Sequence, residues 1–350
     1  MKYMNVKTLQ FKLFYIPGLR DVVFEEVKQH SKLRIKDESR GDSSYEDAFY
    51  VEYIDDFDAI KNLRSVAWSY LMYRDSKYNP RYISNHKSIL GNLVEFFIGK
   101  IEHETFNTFK IYCAGSDSPE VVGIEKYLEE HFRLKKSDDA DLNIYIVKID
   151  DIWELGLQIT PQPLSLRGYR VRHMKGAINQ TVAYALNYFC DLKNTHSYLN
   201  AFSGSGTLLI EAAQCFPDLD KLVGFDNDKN HLSLSIQNIK NAGLIEKIQI
   251  FESDIYNNPD LGKFDAITAD LPFGMSISKD QNLNILYERF IAYCEKTLNV
   301  TGRLVVYTSE DKILEEIILK SNFRIIKTLR LEFMTRGNQY LHPKIFVCEF

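Results

Sequence analysis

Along the C-terminal half of the chain, short apolar runs alternate with longer stretches whose apolar residues recur at helical spacing. From Asn179 the pattern predicts a helix over 179–189, a strand over 196–202 and a helix over 207–216. It continues with a strand at 221–226, a helix at 229–243 that Gly243 closes, and strands at 248–254 and 264–270. A helix at 284–298, a strand at 303–309 and a helix at 310–321 follow. Repeated βα units predict a mainly parallel, doubly wound sheet, that is, an α/β fold. The last two strands, "FRIIKTLRLEF" and "PKIFVCEF", have no helix between them and read as an antiparallel pair at one edge.

The N-terminal half is patterned differently. Residues 8–16 read as a strand, Pro17-Gly18 as a turn and 19–30 as a helix with Leu19, Val22, Val23 and Val27 on one face. Strands are expected near 33–36 and 48–53, then a helix near 56–73 carrying Ile60, Leu63, Val66, Ala67 and Leu71. After "RDSKYNP" a second small α+β module begins, with helices at 86–102 and 119–134 and strands at 108–115, 142–149 and 153–160. The expected organisation is two small α+β domains over 1–75 and 76–165, a basic linker over 166–178, and the α/β domain over 179–350.

Composition narrows the class of protein. Of 350 residues, 45% are hydrophobic and 26% charged, ordinary for a soluble globular chain. No apolar run approaches the ~20 residues of a membrane span, and the N-terminus lacks a signal-peptide core. The cysteines, at 113, 190, 215, 294 and 348, form no Cys-x-x-Cys pair. That argues against a zinc site or a disulfide framework and fits a reducing cytoplasm. Net charge is −5, so any polyanion must be met locally. Between Glu154 and Asp191 there is no acidic residue, and "LRGYRVRHMK" carries Arg167, Arg170, Arg172 and Lys175 around Tyr169 and His173. Such a stretch is either a solvated linker or a footprint for phosphates.

The candidate chemistry sits at strand ends. "LNAFSGSGTLLIEAA" (199–213) puts Gly204 and Gly206 where the first strand of the α/β domain turns into a helix, a place that favours an anionic, nucleotide-like ligand. Asp226 ends the next strand 20 residues after Gly206, the spacing of a carboxylate that binds a ribose diol. Leu209 replaces the third glycine of the dinucleotide fingerprint, so no pyrophosphate is required. S-adenosylmethionine has adenosine without pyrophosphate and suits the loop, with Asp254 and Ile255 then placed for adenine. Asp270-Leu271-Pro272-Phe273-Gly274 closes the fourth strand. Taken alone it would be a turn; as the fourth strand-end feature in consecutive order it reads as part of one site.

These residues resemble the class I methyltransferases that modify exocyclic amines of nucleobases, whose hallmark at this strand end is (Asn/Asp)-Pro-Pro-aromatic. Asp-Leu-Pro-Phe-Gly with "FSGSGTLLIEAA" is most similar to the THUMP-domain RNA guanine-N2 methyltransferases. "YIPGLRDVVFEEV" resembles the opening of that family's ferredoxin-like domain, and "TFKIYCAG" through "LSLRGYR" resembles its THUMP module. The resemblance implies a Rossmann-like methyltransferase domain C-terminal to ferredoxin-like and THUMP domains that grip RNA. It further implies a cytoplasmic, metal-free monomer acting on the tRNA acceptor stem. The cofactor residues it implies are Asn200, Phe202, Gly204, Gly206, Thr207, Asp226, Asn227, Asp254, Ile255 and Asp270. Asn200 stands where many relatives have an acid.

Guanine's exocyclic amine is conjugated and a poor nucleophile, so its N–H groups must be held while the lone pair faces the methyl group. Asp270 and the Leu271 carbonyl can accept those hydrogen bonds, Pro272 sets the carbonyl direction, and Phe273 can stack on the base. Stacking contributes roughly 1–3 kcal/mol per base, comparable to extruding a nucleotide from a helix. Arg167, Arg170, Arg172 and Lys175 are the expected RNA contacts. His173, His342 and the basic set Arg324, Lys327, Arg330 and Arg336 read as surface or RNA-facing. Glu211 is either a buried acceptor or a substitute for the acid absent at 200. Open alternatives are a 23S rRNA guanine-N2 or adenine-N6 methyltransferase and a non-catalytic RNA-binding adaptor. A thiolation enzyme would need a pyrophosphatase loop and reactive cysteines that the chain does not show.

Overall fold

Leu9, Phe11 and Leu13 alternate with Gln10, Lys12 and Phe14, and this segment forms strand β1 (Leu9–Phe14), side chains pointing alternately to the two faces. The computed structural model describes residues 6–37, 48–101, 105–115, 117–149, 151–192, 195–273, 283–334 and 339–350. Gly274 and Arg336 lie outside them. The chain divides into two units, Met1–Tyr15 with Val23–Leu164, and Ile16–Val22 with Ser165–Phe350.

In the first unit α1 (Arg20–Gln29), β2 (Ile35–Asp37), β3 (Ala48–Glu52), α2 (Phe57–Lys61) and β4 (Trp68–Arg74) are followed by α3 (Ile83–Asn85). A π-helical run, His86–Gly91, leads into α4 (Asn92–Ile98). Then come β5 (Thr108–Cys113), α5 (Pro119–Phe132), β6 (Lys135–Lys136), β7 (Leu142–Ile149) and β8 (Ile152–Gln158). All eight strands form one sheet in the order β2-β3-β1-β4-β8-β7-β5-β6, continuous across the β4–β8 pair.

The helix expected over 56–73 is corrected. Asp56 caps α2 by accepting from the Ala59 N–H at 3.1 Å, but the helix stops at Lys61. Trp68, Tyr70 and Tyr73 are aromatic strand formers, and Trp68–Arg74 pairs with β1 on one side and β8 on the other. Two ladders outweigh a helical spacing of apolar residues. On the even-numbered face of β1, the buried Lys12 ammonium lies 3.0 Å from Glu154 Oε2, while the Tyr50 hydroxyl donates to Glu154 Oε1 at 2.5 Å.

The second unit contains α6 (Gln180–Phe189), β9 (Ser197–Ala201), α7 (Thr207–Cys215), β10 (Lys221–Asp226), α8 (Lys229–Asn241), β11 (Ile248–Glu252) and β12 (Phe264–Asp270). It continues with α9 (Leu283–Thr297), β13 (Leu298–Thr308), α10 (Asp311–Ile318), β14 (Arg324–Arg330), β15 (Phe333–Met334), β16 (Tyr340–Leu341) and β17 (Lys344–Glu349). Seven strands form the order β11-β10-β9-β12-β13-β17-β14. The first five run parallel, and β17 is antiparallel to both β13 and β14. The doubly wound α/β class expected from periodicity is the one observed. Between β14 and β17 the structure inserts a two-stranded hairpin, β15–β16, which the sequence pattern did not reveal.

Sheet order reverses beside β9. β10 and β11 lie on one side of it and β12 and β13 on the other, which opens a crevice at the carboxyl ends of the strands. Beneath the crevice, Leu199, Phe225, Ile267, Phe290, Leu304 and Phe346 form a continuous buried core. Tyr198, also buried, donates to Asn187 Oδ1 at 2.7 Å and sits 2.6 Å from Thr268 Oγ1. The strand ends are therefore set on a rigid floor.

Candidate active site

The carboxyl ends of β9 to β12 border a cavity of about 560 Å³, within the usual range for small-ligand sites. After β9 the backbone makes left-handed turns, with φ of 57° at Phe202, 52° at Gly204 and 76° at Gly206. A Cβ on Gly206 would lie 2.4 Å from Ser235 Oγ, so both conformation and space require glycine there. Gly206 caps α7 without a side chain, which leaves the first-turn amides for something else. Ser205, Thr207 and Leu208 from this turn line the cavity, and the electropositive helix end is where an anionic group is held best.

Asp226 ties the ends of β9 and β10 together. Its Oδ2 accepts from the Gly204 N–H at 2.8 Å, and its Oδ1 accepts from the Asp228 N–H at 3.0 Å and faces His231 Nδ1 at 3.2 Å. A carboxylate has about four lone-pair sites, so Asp226, which borders the cavity, keeps capacity for a hydroxyl donor. Asn227 Nδ2 donates to Asp254 Oδ2 at 2.9 Å, and both residues border the cavity beside Ile255 and Phe202.

Two of the expected cofactor residues lie behind the lining. Gly206 shapes the turn, and Asn200 is fully buried. Asn200 Nδ2 donates to the carbonyls of Ala201 at 3.1 Å and Thr268 at 3.3 Å, which fixes the amide's orientation. Its Oδ1 then has no donor among the described residues. An unmet buried acceptor costs about 1–3 kcal/mol, and behind the lining this one is not presented to a ligand in the cavity. The methionine half of the expected cofactor has a carboxylate that suits the α7 end.

β12 ends on Asp270. Leu271 is buried and donates its N–H to the Tyr307 carbonyl at 2.9 Å. Among the described residues, nothing donates to the Asp270 carboxylate or to the Leu271 carbonyl. The Pro272 carbonyl instead accepts from the Tyr287 hydroxyl at 2.7 Å, and Tyr287 lies 2.8 Å from Thr308 Oγ1. Phe273 is held edge-on by Tyr307, with centroids 5.6 Å apart and planes at 66°. Burial without a partner pushes the Asp270 carboxyl up to about 8. The Tyr307 and Tyr287 hydroxyls are raised chiefly by burial, with the Asp270 charge contributing.

Residues 167–338 match the family described as RMKL-like, methyltransferase domain. This is a methyltransferase domain. Over that segment the chain is similar to the RMKL-like methyltransferases. The chain is similar to a tRNA (guanine(6)-N2)-methyltransferase of Methanocaldococcus jannaschii, 26% identical over 59% of this chain and 66% of that protein. It is also similar to a U6 snRNA (guanine-N(2))-methyltransferase of Homo sapiens, 30% identical over 58% of this chain and 41% of the relative. It thus spans less than two thirds of each relative's length. The crystal structure of TrmN from Thermus thermophilus has a TM-score of 0.74 at 21% identity, covering 97% of this chain and 99% of that one. At that identity the likeness is one of fold, and it extends over nearly the whole chain.

Within the methyltransferase domain the basic stretch is not a free linker. The buried Tyr169 donates its hydroxyl to Glu211 Oε1 at 2.7 Å, and Arg167 Nε lies 3.6 Å from the same oxygen. Arg170 Nη2 donates to Thr207 Oγ1 and to the Ile178 carbonyl, each at 2.6 Å. The expectation that Arg167 and Arg170 meet RNA phosphates is therefore corrected: both turn inward onto α7. Glu211 is a buried acceptor that helps hold them. Arg172, which donates to Gln237 Oε1 at 2.8 Å, and Lys175 remain exposed.

His173 is exposed, and His342 lies 3.7 Å from Glu332; neither borders the cavity. Arg324 and Arg330 pair with Glu349 and Asp311. Cavity residues that escaped the sequence reading include Met174, Asn179, His231, Tyr307, Phe333 and Leu341. Asn179, as the cap of α6, and Tyr307, near the end of β13, could have been found by extending the strand-end and cap logic to every element. Phe333 and Leu341 carry no local signal. Among the described residues, no cluster of His, Cys, Asp and Glu could hold a metal ion, and no helix is long and apolar enough to cross a membrane.

Proposed function

We propose that this protein transfers a methyl group from S-adenosylmethionine to the exocyclic N2 amine of a guanosine in RNA, with the tRNA acceptor stem as the substrate. The observation that carries this reading is the pair of acceptors at the end of β12, Asp270 and the Leu271 carbonyl, unmet among the described residues, beside the half-exposed ring of Phe273. Two acceptors suit the two N–H groups of one amine, and an adjacent ring suits a base taken out of its stack. The relatives named for guanine-N2 methylation of tRNA and of U6 snRNA support the base and the atom.

The cofactor supplies an electrophilic methyl group on a sulfonium. The N-terminal end of α7 would hold its carboxylate, Asp226 its ribose hydroxyls, and Asp254 with Ile255 its adenine. Asp270 and the Leu271 carbonyl orient the target amine, so that positioning supplies most of the rate. The alkylated amine is strongly acidic, and Asp270 in its ionised form takes the proton as it leaves. The exposed Arg172 and Lys175 meet phosphate. We place the enzyme in the cytoplasm and as a monomer, with the first unit, read as ferredoxin-like and THUMP modules, gripping the RNA.

The test is single-turnover incubation with an unmodified tRNA transcript, followed by nucleoside mass spectrometry. N2-methylguanosine is the expected product, absent with Asp270→Ala although cofactor affinity is kept. N6-methyladenosine instead, or an active Asp270→Ala variant, overturns the reading.

A further inference from the structure

The hairpin β15–β16, like the segment before α6, contributes to the cavity wall from outside the strand ends and βα turns. In its register Phe333 pairs with Leu341 and Met334 with Tyr340, so successive pairs face opposite sides of a two-stranded ribbon. Phe333 and Leu341 line the cavity. Met334 and Tyr340 stand on the other side, 68% and 56% exposed. Both faces of a small ribbon are thus apolar, which a soluble protein retains at a cost unless the outer face meets something.

Strand order says where the ribbon stands. Asp270 of β12 pairs with Tyr307 of β13, and Thr308 of β13 with Lys344 of β17. The segment between β14 and β17 therefore emerges at the carboxyl edge, two strands or about 10 Å from β12. That is the half of the crevice holding Asp270 and Phe273, away from the β9–β11 half that holds the glycine loop and Asp226. The ribbon's base is tied down, because the buried Leu331 donates its N–H to the Pro343 carbonyl at 2.8 Å. On the outer face the Tyr340 ring stacks on His342, with centroids 6.3 Å apart and planes at 18°, which gives that face a flat aromatic surface.

We infer that this hairpin is the wedge that keeps the target nucleotide extruded. Phe333 bears on the base inside the cavity, on the wall the hairpin contributes beside Phe273, and Tyr340 with Met334 bears from outside on the stack the base has left. The occupant of the outer face is the RNA strand itself. A nucleotide can enter the substrate half of the crevice only with its neighbours passing the rim that the hairpin forms. Apolar side chains placed against an opened base step are an established way to stabilise an unstacked nucleic acid. The inference rests on the proposed function, since it needs a base in the cavity. Phe333 and Tyr340 act as positioning residues, with no part in the transfer itself.

The test uses the full chain and a tRNA transcript carrying guanosine at position 6 of the acceptor stem, with 2-aminopurine at that position for binding. Wild-type protein should raise the 2-aminopurine fluorescence as the base leaves its stack. Tyr340→Ala should lower that amplitude several-fold and raise KM for the transcript about 10-fold, the scale of one lost stacking contact, while single-turnover kcat changes less. Phe333→Ala should also raise KM, and Tyr340→Phe should restore both readouts. Affinity for S-adenosylmethionine should be unchanged throughout, which shows the variants to be folded. If wild type methylates the transcript and both alanine variants match it in KM and fluorescence, the wedge is refuted while the proposed function stands. If wild type neither binds nor methylates it, the proposed function falls and the wedge with it.

Discussion

A carboxyl group that folds into an apolar site without a partner makes the native protein hold a proton that the unfolded chain releases. Asp270 is such a group, raised to about 8 in the fold against about 3.9 in an unfolded chain. Its protonated form suits the fold, so this contribution to stability is fully present below about pH 4 and is lost progressively as pH rises to about 8. Asp270→Asn should therefore flatten that pH dependence and raise stability most near pH 8, read as a higher melting temperature. The same variant keeps an amide oxygen that can accept from the target amine, so it should retain part of the methyl transfer that Asp270→Ala loses. Thermal melts at pH 5 and pH 8 check the first statement; identical slopes for the two proteins would show that Asp270 is solvated or paired. Gly206→Ala is a second residue-scale case. Its left-handed φ costs an L-residue roughly 1–2 kcal/mol, and the Cβ meets Ser235 besides. The expected outcome is loss of stability together with weaker cofactor binding, read by calorimetry.

At the scale of elements, segment 166–178 fastens the glycine turn. Tyr169 and Arg167 hold Glu211 within α7, and Arg170 holds Thr207 at its first position. Arg170→Ala should weaken S-adenosylmethionine binding about 5- to 30-fold, the worth of one hydrogen bond from a charged donor at roughly 1–2 kcal/mol. Unchanged affinity in a titration would reduce the contact to packing. How legible this segment was follows from its composition. Four basic residues in ten positions look solvent-facing, because a local pattern does not show the fully buried Glu211 that receives them. The misread helix over 56–73 has the same origin. Ala67 and Leu71 keep helical spacing, yet cross-strand partners in β1 and β8, some 60 and 85 residues away along the chain, draw Trp68–Arg74 into the sheet.

Considered as a whole molecule, a chain of net charge −5 cannot rely on a global field to attract RNA. Attraction must come from local groups, and of the basic stretch only Arg172 and Lys175 remain exposed. Replacing both by Ala should reduce the slope of log affinity against log salt by about 1.5 and leave cofactor affinity unchanged, each phosphate contact being worth roughly 0.7–0.9 of slope. An unchanged slope in filter binding at several salt concentrations would move the RNA path elsewhere. Residue order by itself determined the alternation of strands and helices from 179 onward, the glycine turn, and the acids at the ends of β10, β11 and β12. Each of these depends on neighbours a few positions apart: an apolar period, a left-handed turn, a strand that stops. Tertiary structure alone decided that Arg170 faces Thr207, that Asn200 keeps an unmet acceptor, and that a hairpin after β14 supplies Phe333 and Leu341 to the cavity. Those outcomes depend on which distant segments share a ladder or a buried space, and the energy of a contact across the fold is not written in the spacing of the residues that make it.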